Sequence, residues 1–150
     1  MADKQKKTPD EELLQEVYKS VCMGTDSVTT ILGRTKDVGL RQELTAQLDG
    51  YQNFANIARN KLSDMSVTAK EVSALAKMPA EVSIMMTTMT DASPSKIAEM
   101  MINGSTMGVI EMKKRVKQAQ TDGASEDNIK IANDVVTFEE NNINKMKNFL

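Results

Sequence analysis

The sequence predicts an all-α fold, an antiparallel four-helix bundle with a long helical connection between its second and third helices. Three observations carry this. The 150 residues are 40% hydrophobic but only 3% aromatic, with no Trp and three Pro, a balance that suits helix-on-helix packing better than a sheet. Apolar residues recur at alternating steps of three and four in four separate stretches, the spacing of one helix face. Helix-start residues stand in front of those stretches. A chain of this length buries roughly 70% of the surface its unfolded form exposes, enough for one core. Residues 1–7, polar and basic, are expected to be a disordered lead-in, and residues 8–150 a single domain.

Thr8-Pro9-Asp10-Glu11 combines a capping hydroxyl, proline at the first helical position, acids against the helix dipole and Glu three residues after Thr. The first helix is therefore expected over about 9–33, with the stripe Leu14, Tyr18, Val21, Thr25, Val28 and Leu32, Val17 at its edge and Gly33 as its stop. Asp37 caps a second helix over about 37–62, with the stripe Leu40, Leu44, Leu48, Tyr51, Ala55, Ala58 and Leu62. The short gap at 34–36 sets these two antiparallel. Residues 63–94 form the least regular part. They read as two short helices, near 68–77 and 80–90, interrupted by Pro79 and ended by Asp91-Ala-Ser-Pro94, or the second piece is the front of a long, kinked third helix.

The third long helix, about 95–120, carries Ala98, Met101, Ser105, Val109, Met112, Val116 and Ala119. Gly104 and Gly108 lie beside that stripe, and because a helical Gly costs about 1 kcal/mol against Ala, the pair suggests a close approach by a neighbouring helix. Thr121 to Ala124 make a turn. Ser125 caps the last helix, with Glu126 and Asp127 in its first turn, and that helix is expected to run from about 125 to the terminus. Its stripe is Ala132, Val136, Glu139, Ile143, Met146 and Leu150.

Glu139 is the polar exception on that stripe. A carboxylate there is a metal ligand, an acid or base, or a structural hydrogen-bond acceptor. Counted inward from the two tight turns, taken as lying at one end, Glu139, Tyr51, Tyr18 and Ser105 all fall about 14 or 15 residues deep, so the ruler of the helix puts them at one level. The expectation is a buried polar layer in which two phenols and a serine donate to Glu139. Left unpaired, the buried carboxylate would have a raised pKa and cost stability.

Four such helices, the piece Gly104-Ser-Thr-Met-Gly108 and the ending Phe138-Glu-Glu-Asn-Asn-Ile-Asn-Lys-Met146 resemble small bacterial proteins of the ferritin-like superfamily, including uncharacterised members with no assigned activity. The resemblance covers most of the chain. It implies a ferritin-like bundle, and in the metal-binding members a site with a Glu from each of two helices and Glu-x-x-His on each of the others. Glu139-x-x-Asn142 stands where the last Glu-x-x-His would be, with Asn for His. Asp49-x-x-Gln52 is the nearest counterpart on the second helix, but Asp49 is about 140° from the stripe centre and faces solvent. The first and third helices offer Tyr18 and Ser105 at the required level, with Glu16 and Glu111 nearby but off the stripes, and the chain has no His. The expected function is thus a non-catalytic bundle with a structural or partner-binding role and no cofactor. The alternative is a divergent oxidase or metal store in which Glu139, Glu111 and Glu16 gather iron or manganese, with water in place of histidine.

Other classes find less support. The 19 basic and 21 acidic residues, net −2, are interspersed and offer no basic field for nucleic acid. No window approaches the ~18 apolar residues that span a bilayer, and the start MADKQKKTPDEE lacks a signal peptide's apolar run, so a cytoplasmic location is expected. The single Cys22 excludes an internal disulfide and reads as a core residue, since without histidine neither Cys-His nor Ser-His catalysis is available. Lys113-Lys114-Arg115 reads as the favourable basic end of the third helix. Met85, Met86 and Met89, with Met100, Met101, Met107 and Met112, are candidate thioether ligands of copper(I) but more simply core and contact residues. Val82, Met85, Met86 and Met89 suggest self-association through residues 80–90.

Overall fold

The computed structural model describes residues 7–70 and 92–150. These form four helices, α1 (Pro9–Leu32), α2 (Val38–Asp64), α3 (Pro94–Asp122) and α4 (Glu126–Met146), followed by a 3-10 turn at Lys147–Phe149. No strand occurs among the described residues.

Each helix starts where a side chain takes one of its orphan amides. Thr8 accepts from the Glu11 N–H at 3.1 Å, Asp37 from Leu40 at 2.8 Å, Ser93 from Lys96 at 3.3 Å and Ser125 from Asn128 at 3.4 Å. Ser93 is extended, with φ −61° and ψ 149°, so α3 begins cleanly at Pro94 and is not the kinked continuation of an earlier helix. Gly123, left-handed at φ 86°, closes α3, a conformation that Gly adopts without a Cβ clash. Residues 68–70 lie outside any helix. The remainder of the short helix expected at 68–77, the piece at 80–90 and the Met-rich contact within it fall outside the described residues. The last helix stops short of the terminus: after Met146 the backbone tightens into i→i+3 bonds, and Leu150 is 63% exposed. Closing a helix end with a 3-10 turn satisfies carbonyls that lack α-helical partners.

Contacts fix the directions of the helices pairwise. Arg59 of α2 meets Tyr18 of α1, Gly24 lies against Tyr51, and Arg41 Nη1 donates to the Leu32 carbonyl, so α1 and α2 run oppositely. Gly50 and Gly39 of α2 meet Phe138 and Phe149, pairing α2 with α4 in opposite directions. At the start of α4, the Ser125 N–H and Asn128 Nδ2 donate to Asp10 Oδ1 at 2.8 and 2.9 Å. The tight turn between α3 and α4 therefore lies where α1 begins, at the end opposite the 33–37 turn. This corrects the assumption that both turns share an end.

The core is aliphatic. Leu14, Val17, Val21 and Val28 of α1, Leu40, Leu44 and Leu62 of α2, Ile97 and Ala98 of α3 and Ala132 of α4 are fully buried. Two seams are rotated from the expected ones. On α4 the buried residues are Asn128, Ala132, Val135, Val136, Glu139, Asn142 and Met146, so Val136 keeps its expected place while Asn142 replaces Ile143, and on α2 Gln47 replaces Leu48. Both changes bring amides inside in place of aliphatic neighbours.

Candidate functional site

Glu139 is 5% exposed, and the Tyr51 hydroxyl lies 2.8 Å from each of its carboxylate oxygens. Two glycines make this geometry possible. A Cβ on Gly24 of α1 would lie 2.3 Å from the Tyr51 ring, and one on Gly50 of α2 would lie 2.3 Å from the Phe138 ring. Each ring thus occupies a notch in the neighbouring helix that any larger residue would fill. Phe138 then meets Tyr51 edge to face, with ring centroids 5.0 Å apart and planes at 89°, a favoured aromatic arrangement. The adjoining residue, Glu139, is presented to the phenol that Phe138 buttresses.

Ser105 of α3, itself buried, supports the pair through its hydroxyl. One turn on, Gly108 stands beside the carboxylate, where a Cβ would lie 3.8 Å from Oε1, an ordinary contact distance. Burial pushes the Glu139 carboxyl up to about 6, and hydrogen bonds from Tyr51 and Ser105 hold it below what burial alone would impose. Tyr51 is pushed well above its ordinary value, first by burial and then by the charge of Glu139 and the bond to it. Asn142 stands beside that hydroxyl and slightly opposes the rise, without closing a hydrogen bond through its amide nitrogen. Chemically, this is a phenol held protonated by a carboxylate acceptor in a buried layer.

Tyr18 sits elsewhere. Its hydroxyl accepts from Arg59 Nη2 at 3.1 Å, with the guanidinium 5.4 Å from the ring centroid and Cys22 on the next turn. The α1 residue facing Tyr51 is Gly24, six positions further on, or about 9 Å along the axis. Helical side chains tilt toward their own N-terminus. Because α1 and α2 run oppositely, Tyr18 and Tyr51 lean toward opposite ends and diverge. Tyr51, Ser105 and Glu139 meet despite the misplaced turn because all three lie near the middle of their helices, a level that reversing a hairpin leaves unchanged.

Glu16 and Glu111 do not gather with Glu139. Arg115 Nε lies 3.1 Å from Glu111 Oε1 and 3.8 Å from Glu16 Oε2, and Lys19 lies 3.9 Å from Glu16. Among the described residues, no group of three or more His, Cys, Asp or Glu is placed to hold a metal ion. Asp49 and Gln52 are exposed. Lys113 reaches Glu140 at 3.6 Å, so Lys113 and Arg115, lying two turns before the end of α3, serve neighbouring acids. Met101 and Met112 are core residues and Met107 is 46% exposed, which separates them onto different faces. Cys22 is half-buried against the core. Among the described residues no helix is long and apolar enough to cross a membrane.

Sequence reasoning missed Gly24 and Gly50, the notches, and the buried amides Gln47 and Asn128; it singled out Asn142 as the residue in the place of a histidine, though not as a buried amide. Among the described residues nothing lies within 4 Å of where a Cβ on Gly104 would stand, so none of them makes the close approach expected there. A glycine inside a helix is a legible signal, but only the rotation of each helix tells which glycine meets a ring. Compared with protein-family models, with curated proteins and with solved structures, the chain matches none.

Proposed function

We propose that this chain is a ferritin-like four-helix bundle with a structural or partner-binding role, in which the Tyr51–Glu139 pair fixes helix register and performs no chemistry. The pairwise contacts support a bundle in which α1 and α4 run one way and α2 and α3 the other. Gln15 bonds to residues 68 and 70 near the start of α1, while α3 begins at the far end. The connection between them has the length of the bundle to cover, as in ferritin-like folds with one long crossover. The observation that carries the functional reading is the state of the carboxylates. Both oxygens of Glu139 face the Tyr51 hydroxyl, while Glu16 and Glu111 are drawn to Arg115.

Aerobic titration of the purified chain with ferrous iron tests this. The expected result is no stoichiometric binding and no ferric-oxo absorbance, with Glu139→Gln indistinguishable from the parent. Stoichiometric binding with ferric-oxo absorbance, both abolished by Glu139→Gln, would establish the metal-binding alternative instead.

A further inference from the structure

Two buried polar atoms, one on α2 and one on α4, lack partners among the described residues and are complementary. Gln47 and Asn142 are each 2% exposed; Gln47 Oε1, an acceptor, and Asn142 Nδ2, a donor, make no hydrogen bond to the described residues. Buried groups of this kind cost about 1–3 kcal/mol each when left unsatisfied, so native structures rarely tolerate two in one seam.

Their positions follow from the Tyr51–Glu139 pair. Gln47 precedes Tyr51 by four residues and Asn142 follows Glu139 by three. Since α2 and α4 run oppositely, both steps move about one turn toward the 33–37 end. At about 100° per residue they also rotate each side chain by some 40–60° to the same side of the seam. The Gln47 amide cannot simply turn over, because its Nε2 is committed to Glu43 Oε1 at 3.1 Å. Its oxygen is thereby held inward, toward the level where Asn142 offers an N–H.

We infer that this level holds one ordered water molecule, which donates to Gln47 Oε1 and accepts from Asn142 Nδ2. Water suits the pair because it carries both functions in one small molecule, and buried waters serve otherwise unsatisfied polar groups in this way. A cation would leave the amide N–H unserved, and an anion would leave the carbonyl unserved. The third unpartnered atom, Asn128 Oδ1, lies near the opposite end of α4 and has no complementary atom among the unpartnered ones, so it makes no such site.

The test is water-to-protein NOE spectroscopy on the intact, isotope-labelled chain, together with a crystal structure of the same protein. The expected result is a negative, long-residence cross-peak between water and the Asn142 side-chain amide, and density within hydrogen-bond reach of both Gln47 and Asn142. In Gln47→Leu/Asn142→Leu the density should be lost. The thermal midpoint of that double variant should exceed that of either single variant, because each single change strands one amide. A direct Gln47–Asn142 hydrogen bond, an empty site, or absence of the cross-peak in the parent chain overturns the inference. The measurement on the unsubstituted protein decides it even if a variant fails to fold.

Discussion

Glu139 makes the protein's stability depend on pH in a direction opposite to that of an ordinary salt-bridged acid. Its folded pKa of about 6 lies above the ordinary 4.5, with burial as the main cause. A group so raised contributes fully below the unfolded value, and the contribution is lost as pH rises through the folded one. The gap corresponds to about 2 kcal/mol. Denaturant unfolding of the parent chain and of Glu139→Gln, each from pH 4.5 to 7.5, should show the parent losing about that much relative to the variant. A difference that is flat with pH would mean that the carboxylate is better solvated than its burial indicates. Asp10 behaves in the opposite sense. Although partly desolvated, it is held below its ordinary value by hydrogen bonds from Asn128 and Ser125, so its contribution is lost only in acid.

At the scale of the helix, glycines of equal intrinsic propensity should respond differently to the same substitution. Gly24→Ala and Gly50→Ala each drive a Cβ into an aromatic ring at 2.3 Å. Tyr51 is tethered to Glu139, and Phe138 is flanked by Tyr51 and Phe54, so neither ring can step aside freely. Overpacking of this kind costs about 1–3 kcal/mol, which exceeds the gain of about 1 kcal/mol in helix propensity. Gly104→Ala, where no described residue stands within 4 Å of the new Cβ, should instead stabilise by up to about 1 kcal/mol. Thermal or denaturant midpoints of the three variants check the ordering, and an equal response from all three would refute the notch geometry. The helices themselves were readily legible in the sequence. Thr8, Asp37 and Ser125 cap where their side chains and following residues indicate, since capping is local chemistry. The rotation of α2 and α4 was not, because an aliphatic stripe with Leu48 or Ile143 at its edge looks as good as one with Gln47 or Asn142. Only packing against the other helices decides between them.

For the molecule as a whole, the sequence left open at which end each hairpin turns, since a long connection is compatible with either arrangement. The Asp10 clasp on Ser125 and Asn128 resolves it. Nitroxide labels at positions 36 and 122, in a Cys22→Ser background, should therefore lie apart by about the length of α3, roughly 40 Å at 1.5 Å per residue. Pulsed dipolar spectroscopy measures that distance. A value under about 20 Å, the span of neighbouring helices, would place both turns together and remove the support for a ferritin-like crossover. The meeting of Tyr51, Ser105 and Glu139 was legible even with that point unresolved, because central positions keep their level when a hairpin is reversed. The separation of Tyr18 was not, since it depends on the opposed tilt of side chains on opposed helices.

The two notches also answer a problem of ambiguity. Aliphatic seams repeat every turn, so a helix sliding by one turn along its neighbour finds almost the same set of Leu, Val and Ala contacts and loses little. A ring seated over a glycine has no such second seat. If α4 slid one turn along α2, Phe138 would meet Phe54 or Gln47 in place of Gly50, and Tyr51 would part from its acceptor. The adjoining wedges of Phe138 and Tyr51 therefore act as an index mark on an otherwise nearly uniform scale, selecting one alignment among several of similar hydrophobic content.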